Sequence, residues 1–292
     1  TQIKDVIEAS GNYTVEYGAS GYTRLDQWAD GETSYQAWLD EKMPDIIFGN
    51  YDYVIIQTIS WFNLNPTQQE YLWTEILPDL NQRVRAAGSE IILYDKYPSP
   101  GCYPDYIRSN NLFHIRACIE SDIRLISWGG GSVRELGKQQ YFRDMRTFYD
   151  MGGHPGPMMD YLSACAISYM VTGVNPIGTS MTNISIEGWC DSWFTGLASS
   201  SDQADIDFYN AHKDRVVDAH LQLTAWEADT LQRTAMRNHL RWMDTLAANR
   251  DEPARYAATL AEIEDIRALH GQWDILYPDG PSPNVLERCN PL

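Results

Sequence analysis

The chain of 292 residues carries 40 acidic against 22 basic side chains, a formal charge of -18 and a pI near 4.6, which argues against nucleic acid as a partner because phosphate contacts need clustered Lys and Arg. Hydrophobic residues make up 43% and no run approaches the ~18 uninterrupted apolar residues of a transmembrane helix. A soluble globular chain is expected, of one large domain or two small ones.

Short β-branched and aromatic runs alternate with helix-period segments, the pattern of an α/β domain with a parallel sheet. Strands are predicted at 13–19, 51–58, 89–94 and 122–128. The two middle ones are continuous apolar runs, Tyr53 to Gln57 and Glu90 to Tyr94, as expected for strands covered on both faces. Between them 66–87 reads as a crossover helix closed by Gly88, which completes a right-handed βαβ unit. The apolar, small-residue segment from Met158 to Val171 predicts a buried helix stopped at Gly173. The Gly/Ser/Thr-rich stretch 179–201 reads as a loop. Beyond it Thr224-Ala225-Trp226-Glu227 is a capping box, with Leu231, Ala235, Trp242 and Leu246 continuing one stripe. Pro253 opens a last helix in which Tyr256, Leu260, Ile263 and Leu269 repeat until Gly271. No internal repeat is visible.

The five cysteines, Cys102, Cys118, Cys165, Cys190 and Cys289, lack C-x-x-C spacing and give neither a disulfide scaffold nor a zinc site. Cys118 and Cys165 lie in helical patterns as buried thiols, and the other three sit where a bridge can form. Asn12-Tyr13-Thr14 and Asn183-Ile184-Ser185 match the glycosylation triplet. The sequence begins at Thr1 with no signal peptide in view, as a processed product does, and an extracytoplasmic or secreted location is expected.

Chemistry concentrates between Tyr149 and Cys165. Asp150 and His154 share a loop with Gly152, Gly153, Pro155 and Gly156, just before the buried helix and at the expected C-terminal edge of the sheet, where open α/β sheets place their sites. A histidine there serves as general base for a hydroxyl nucleophile when a carboxylate fixes its tautomer; the alternative is a histidine that caps or packs the helix start.

The segment resembles the C-terminal block of the SGNH (GDSL-like) hydrolases, in the branch where Asp-x-x-His-Pro runs into a Tyr-Leu-x-Ala helix; His154, Pro155, Pro157, Tyr161, Leu162, Ala164 and Cys165 carry the likeness. Two further blocks follow the family's order. Gly18-Ala19-Ser20-Gly21-Tyr22-Thr23 resembles the block whose glycine donates a backbone N–H to the oxyanion hole, and Asn50 to Gln57 resembles a strand ending in Gln. The likeness spans roughly residues 1–175. It implies a three-layer α/β/α, flavodoxin-like fold over 1–178, with a loop and helical C-terminal extension over 179–292. It also implies ester hydrolysis without a cofactor, with His154 as base, Asp150 as its acid, and Gly21 and Gln57 as oxyanion donors.

Two departures accompany the likeness. The family's acid stands three residues before the histidine, whereas Asp150 stands four before His154: either the loop carries an extra residue or the acid is lost. The block bearing the serine, which closes the first strand, is not in this sequence, since 1–9 already reads as the helix that follows it. Ser10 and Ser20 are misplaced for the role. The first strand normally lies between the second and third, and its omission leaves unpaired edges that are costly to bury. The strand and serine are therefore expected from an upstream segment or a second chain; otherwise the sheet is rearranged and the protein is a non-catalytic binding or assembly subunit. An N-terminal threonine nucleophile at Thr1 belongs to a different architecture.

Weaker features complete the inventory. Trp128-Gly129-Gly130-Gly131-Ser132 offers backbone N–H groups to an anion, though a tight turn explains the glycines. His212 and His220 stand eight apart with Asp214 and Asp218 near, as in a metal site on one helical face, although isolated surface histidines explain them better. No calcium-loop pattern is present. Trp61, Trp128, Trp189 and Trp193 fall in predicted loops, where they either line a cleft for a carbohydrate ester or simply pack.

Overall fold

The computed structural model describes residues 2–9, 13–15, 32–57, 64–94, 106–127, 132, 135–136, 139–143, 146, 156–179, 182–186 and 189–269. In chain order the elements are α1 (Gln2–Glu8), α2 (Glu32–Gly49), β1 (Tyr53–Gln57), α3 (Pro66–Tyr71), a π-helical turn (Leu72–Ile76), α4 (Leu77–Ala86), β2 (Glu90–Tyr94), α5 (Tyr106–Glu120), β3 (Leu125–Ser127), a 3-10 turn (Gln140–Arg143), α6 (Pro157–Thr172), β4 (Asn183–Ser185), α7 (Trp189–Leu197), α8 (Gln203–His212), β5 (Val216–Val217), β6 (His220–Gln222), α9 (Ala225–Asp251) and α10 (Pro253–Ala268). The chain is thus mixed α/β. It divides into two compact units interleaved in sequence, 1–16 with 131–239 and 17–130 with 240–292. No helix among the described residues is long and apolar enough to cross a membrane.

In the unit formed by 17–130 and 240–292, β1, β2 and β3 form a parallel sheet in that order. The central strand accounts for its own sequence: Ile91, Ile92, Leu93 and Tyr94 are all buried, so both faces select apolar side chains. Strand β1 departs from the expected coverage on both faces. Only Ile56 is buried, while Ile55 and Gln57 are exposed, because among the described residues no strand pairs with its outer side.

The predicted crossover helix forms, but its middle widens into the π turn, where Leu77 N–H donates to the Leu72 carbonyl. Pro78 explains the widening: it has no N–H to offer Thr74, and its ring crowds that carbonyl. Asn65 and Gln68 cap the start reciprocally at 2.9 and 3.0 Å. Gly88 ends the crossover at φ 90°, open to glycine without strain. The core lies on one side of β2, where Ile91 and Leu93 meet Leu39, Trp73, Leu80, Phe113, Trp242 and Ile263. Helix α2 went unread in the sequence because Pro44 interrupts its pattern. Its signal was nonetheless there: Tyr35, Leu39, Met43 and Ile46 are buried at helical spacing.

In the other unit α1 packs on α6. Helix α6 is buried from Pro157 to Ser168 except at the partly exposed Asp160, starts with Pro157 at its first turn and stops at Gly173, φ 68°, as its sequence implied. Tyr13 to Val15 form no strand, contrary to the prediction for 13–19; Val15 N–H donates to Glu8 at 3.0 Å, and 16–19 lie outside the described residues. The stretch 179–201 is not a plain loop. It contains β4 and α7, because Ile184, Trp193, Phe194 and Leu197 supply enough apolar surface to be buried. Strands β4, β6 and β5 form an antiparallel sheet, whose β5–β6 turn holds Asp218 and Ala219 at φ 49° and 56°, the two positive values of a type I′ hairpin.

Candidate functional site

The register of the parallel sheet aligns Gln57, Tyr94 and Ser127 in one row at its C-terminal edge. Gln57 ends the edge strand and is exposed, so its carboxamide is open to a ligand at the end of the sheet where α/β sites form. Of the other predicted site residues, His154, Asp150, Gly21, Trp61 and Trp128 lie outside the described residues.

Helix α5, which follows β2, carries a buried polar run that sequence reasoning missed: Ser109, Asn110, Asn111 and His114. Their interleaving with Leu112, Phe113 and Ile115 hid them, since burial of a polar group is decided by its partners rather than its neighbours in sequence. Asn111 Nδ2 has no hydrogen-bond partner among the described residues. His114 Nδ1 contacts the Asn110 carbonyl at 2.8 Å. Burial pushes the His114 imidazole down to about 4, so it is neutral at physiological pH and carries no charge to a ligand.

The two described thiols are held protonated by burial. Cys118 and Cys165 are free and buried, and burial raises both to about 12, far from the thiolate form a nucleophile or metal ligand needs. Cys102 and Cys289 lie outside the described residues, as does the side chain of Cys190. The histidines at 212 and 220 do not share a helical face: His212 ends α8, buried and stacked on Phe208 at 4.2 Å, whereas His220 sits on β6. An intervening 3-10 turn (Lys213–Arg215) and the hairpin break the helical spacing. Among the described residues no group of three His, Cys, Asp or Glu is placed to hold a metal ion. Trp193 is buried against Phe194 and Phe208, which is packing, and the Trp189 side chain lies outside the described residues.

A second polar centre joins residues far apart in sequence. Thr224 and Glu227 form the predicted capping box, with Thr224 N–H donating to Glu227 at 2.7 Å and Glu227 N–H to Thr224 Oγ1 at 3.2 Å. Glu227 is only 1% exposed, and it also pairs with Arg215 and accepts from the Tyr141 hydroxyl. Burial by itself would raise its carboxyl. The Tyr141 hydroxyl, the Thr224 N–H and Arg215 more than offset that, so the group lies below its ordinary 4.5. Tyr141 moves the other way, to about 12, through burial and then the Glu227 hydrogen bond.

Glu227→Gln, which keeps the shape but strands Arg215, is expected to cost about 3 kcal/mol at pH 7, read from urea unfolding. Because the folded carboxyl is depressed, this stabilisation is present above the ordinary value of 4.5 and is lost as pH falls through the lower folded value. The variant should therefore approach the parent in acid; a deficit of equal size at pH 7 and in acid would show that packing, not charge, is responsible.

Comparison with protein-family models, with curated proteins and with solved structures returns no match for this chain.

Proposed function

We propose that this chain is the major part of an SGNH-type hydrolase of carboxylic esters, in a three-layer flavodoxin-like fold outside the cytoplasm, with an O-acyl group on a carbohydrate as substrate. The observation that carries the proposal is the position of Gln57: the last residue of an edge strand, exposed, at the C-terminal edge of a parallel sheet. The likeness noted in the sequence assigns an oxyanion donor to that position. It assigns the serine-bearing strand to the outer side of β1, where no partner strand occurs among the described residues.

In this reading the serine hydroxyl, contributed by an upstream segment or a second chain, attacks the ester carbonyl while His154 takes its proton. The Gly21 N–H and the Gln57 carboxamide hold the developing oxyanion, and His154 then protonates the leaving alcohol. Water repeats the sequence on the acyl-enzyme. Asp150 orients the imidazole through a loop one residue longer than the family's. Trp61 and Trp128 contribute the aromatic wall for the sugar.

The native protein in full is expected to be labelled by a fluorophosphonate and to hydrolyse a short-chain aryl ester, with both lost in His154→Ala. Gln57→Ala should retain labelling but lose about 100-fold in kcat, the usual loss for one oxyanion donor. Labelling equal in the native protein and His154→Ala refutes the assignment. The altered Asp150 spacing favours a second reading, a non-catalytic binding or assembly subunit of the same fold, which predicts no labelling at all.

A further inference from the structure

Two aromatic side chains in the unit formed by 1–16 and 131–239 remain exposed although they pack against a buried ring. Trp226, in the first turn of α9, is 51% exposed, and Tyr141 of the 3-10 turn is 42% exposed. The indole stacks on the buried ring of Phe142, with centroids 5.6 Å apart and planes 20° apart. Tyr141 stands perpendicular to both, at 5.1 Å and 88° from Trp226 and 5.0 Å and 87° from Phe142. The result is an aromatic corner in which each exposed ring packs against the other and against Phe142. The Tyr141 hydroxyl is anchored on Glu227, and the neighbouring Trp226 is fixed by the capping box and the stack below it.

We propose that this corner binds a neutral sugar ring of a polysaccharide. Charge selects among the ligands that aromatic faces attract. A polyanion is opposed by the chain's net charge of -18. A cation, the other common guest of aromatic walls, finds Glu227, the carboxylate that holds the Tyr141 hydroxyl, 1% exposed and already paired with Arg215. The remaining hydrogen bonds of Arg215 go to the Gln222 carbonyl at 2.9 and 2.8 Å. The centre therefore has its charge internally paired and offers no net ionic attraction. What it does offer is the half-exposed indole of Trp226 and, at right angles to it, the half-exposed ring of Tyr141. A pyranose matches these features, with an apolar C–H face to stack and hydroxyls around its edge. Rings packed in place before binding reduce the ordering cost.

The inference goes beyond the hydrolytic reading and is separable from it, because binding to a deacylated polysaccharide needs no catalysis. Electrophoresis of the native protein through gels containing deacetylated arabinoxylan or galactomannan is expected to show retardation in at least one of them. Trp226→Ala should weaken that binding at least fivefold, with Trp226→Phe between the two. Val217→Ala, at another exposed apolar position of the same unit, should match the parent. Where Trp226→Ala does not fold, titration of the native protein with xylohexaose must shift the Trp226 indole N–H resonance. Absence of retardation in both gels overturns the proposal, as does unchanged retardation of Trp226→Ala. A dimer in sedimentation equilibrium that Trp226→Ala dissolves would likewise overturn it, assigning the corner to a second copy of the chain.

Discussion

Asp160→Asn is expected to stabilise the chain at pH 8 by roughly 3 to 4 kcal/mol and to remove most of the stability lost between pH 4 and pH 8. Asp160 stands in the first turn of α6 among buried Pro157, Met158, Met159 and Tyr161. A carboxylate in a first turn ordinarily gains about 0.3 to 1 kcal/mol from the helix dipole. Here burial wins, raising the carboxyl from 3.8 to about 7; no hydrogen bond to it is found among the described residues. The sign follows from linkage. The folded carboxyl holds its proton more tightly than the unfolded one, so its stabilising contribution is complete below pH 3.8 and disappears as pH rises through about 7. Asparagine stays neutral throughout. Urea unfolding at pH 4, 6 and 8 checks this, and parallel pH profiles for parent and variant would contradict the account.

The second large effect lies in the π turn. Trp73→Ala is expected to cost about 4 to 5 kcal/mol, and Trp73→Phe under half of that. The indole is fully buried, edge-on to Phe113 at 5.6 Å, with the guanidinium of Arg116 at 4.1 Å from its centroid and that of Arg267 at 5.6 Å. Those two cations are positioned in turn by Glu70, at 2.8 Å from Arg116 and 2.9 Å from Arg267. Removal of the ring therefore empties a core site and also withdraws the face on which two charged groups rest. Phenylalanine restores part of the volume and a weaker face. The measurement is the urea midpoint at constant m-value; equal losses for Ala and Phe would contradict a role for the ring face beyond volume.

Local chemistry determined much of this protein before any tertiary contact was known. The unbroken apolar run of β2, the reciprocal cap at Thr224 and Glu227, and the glycines that end the crossover helix and α6 each encode an element within a few residues. Their causes, hydrogen bonds three or four residues apart and a backbone angle only glycine adopts freely, are local. Long-range packing decided the rest. It left β1 half exposed beside a fully buried β2, drew the supposed loop at 179–201 into a strand and a helix, and sank Asp160 and the polar run of α5 into apolar surroundings. It also brought Tyr141 to Glu227, 86 residues away. Solvent exclusion and the meeting of distant charges depend on which surfaces fold together, and periodicity along the chain carries no record of that.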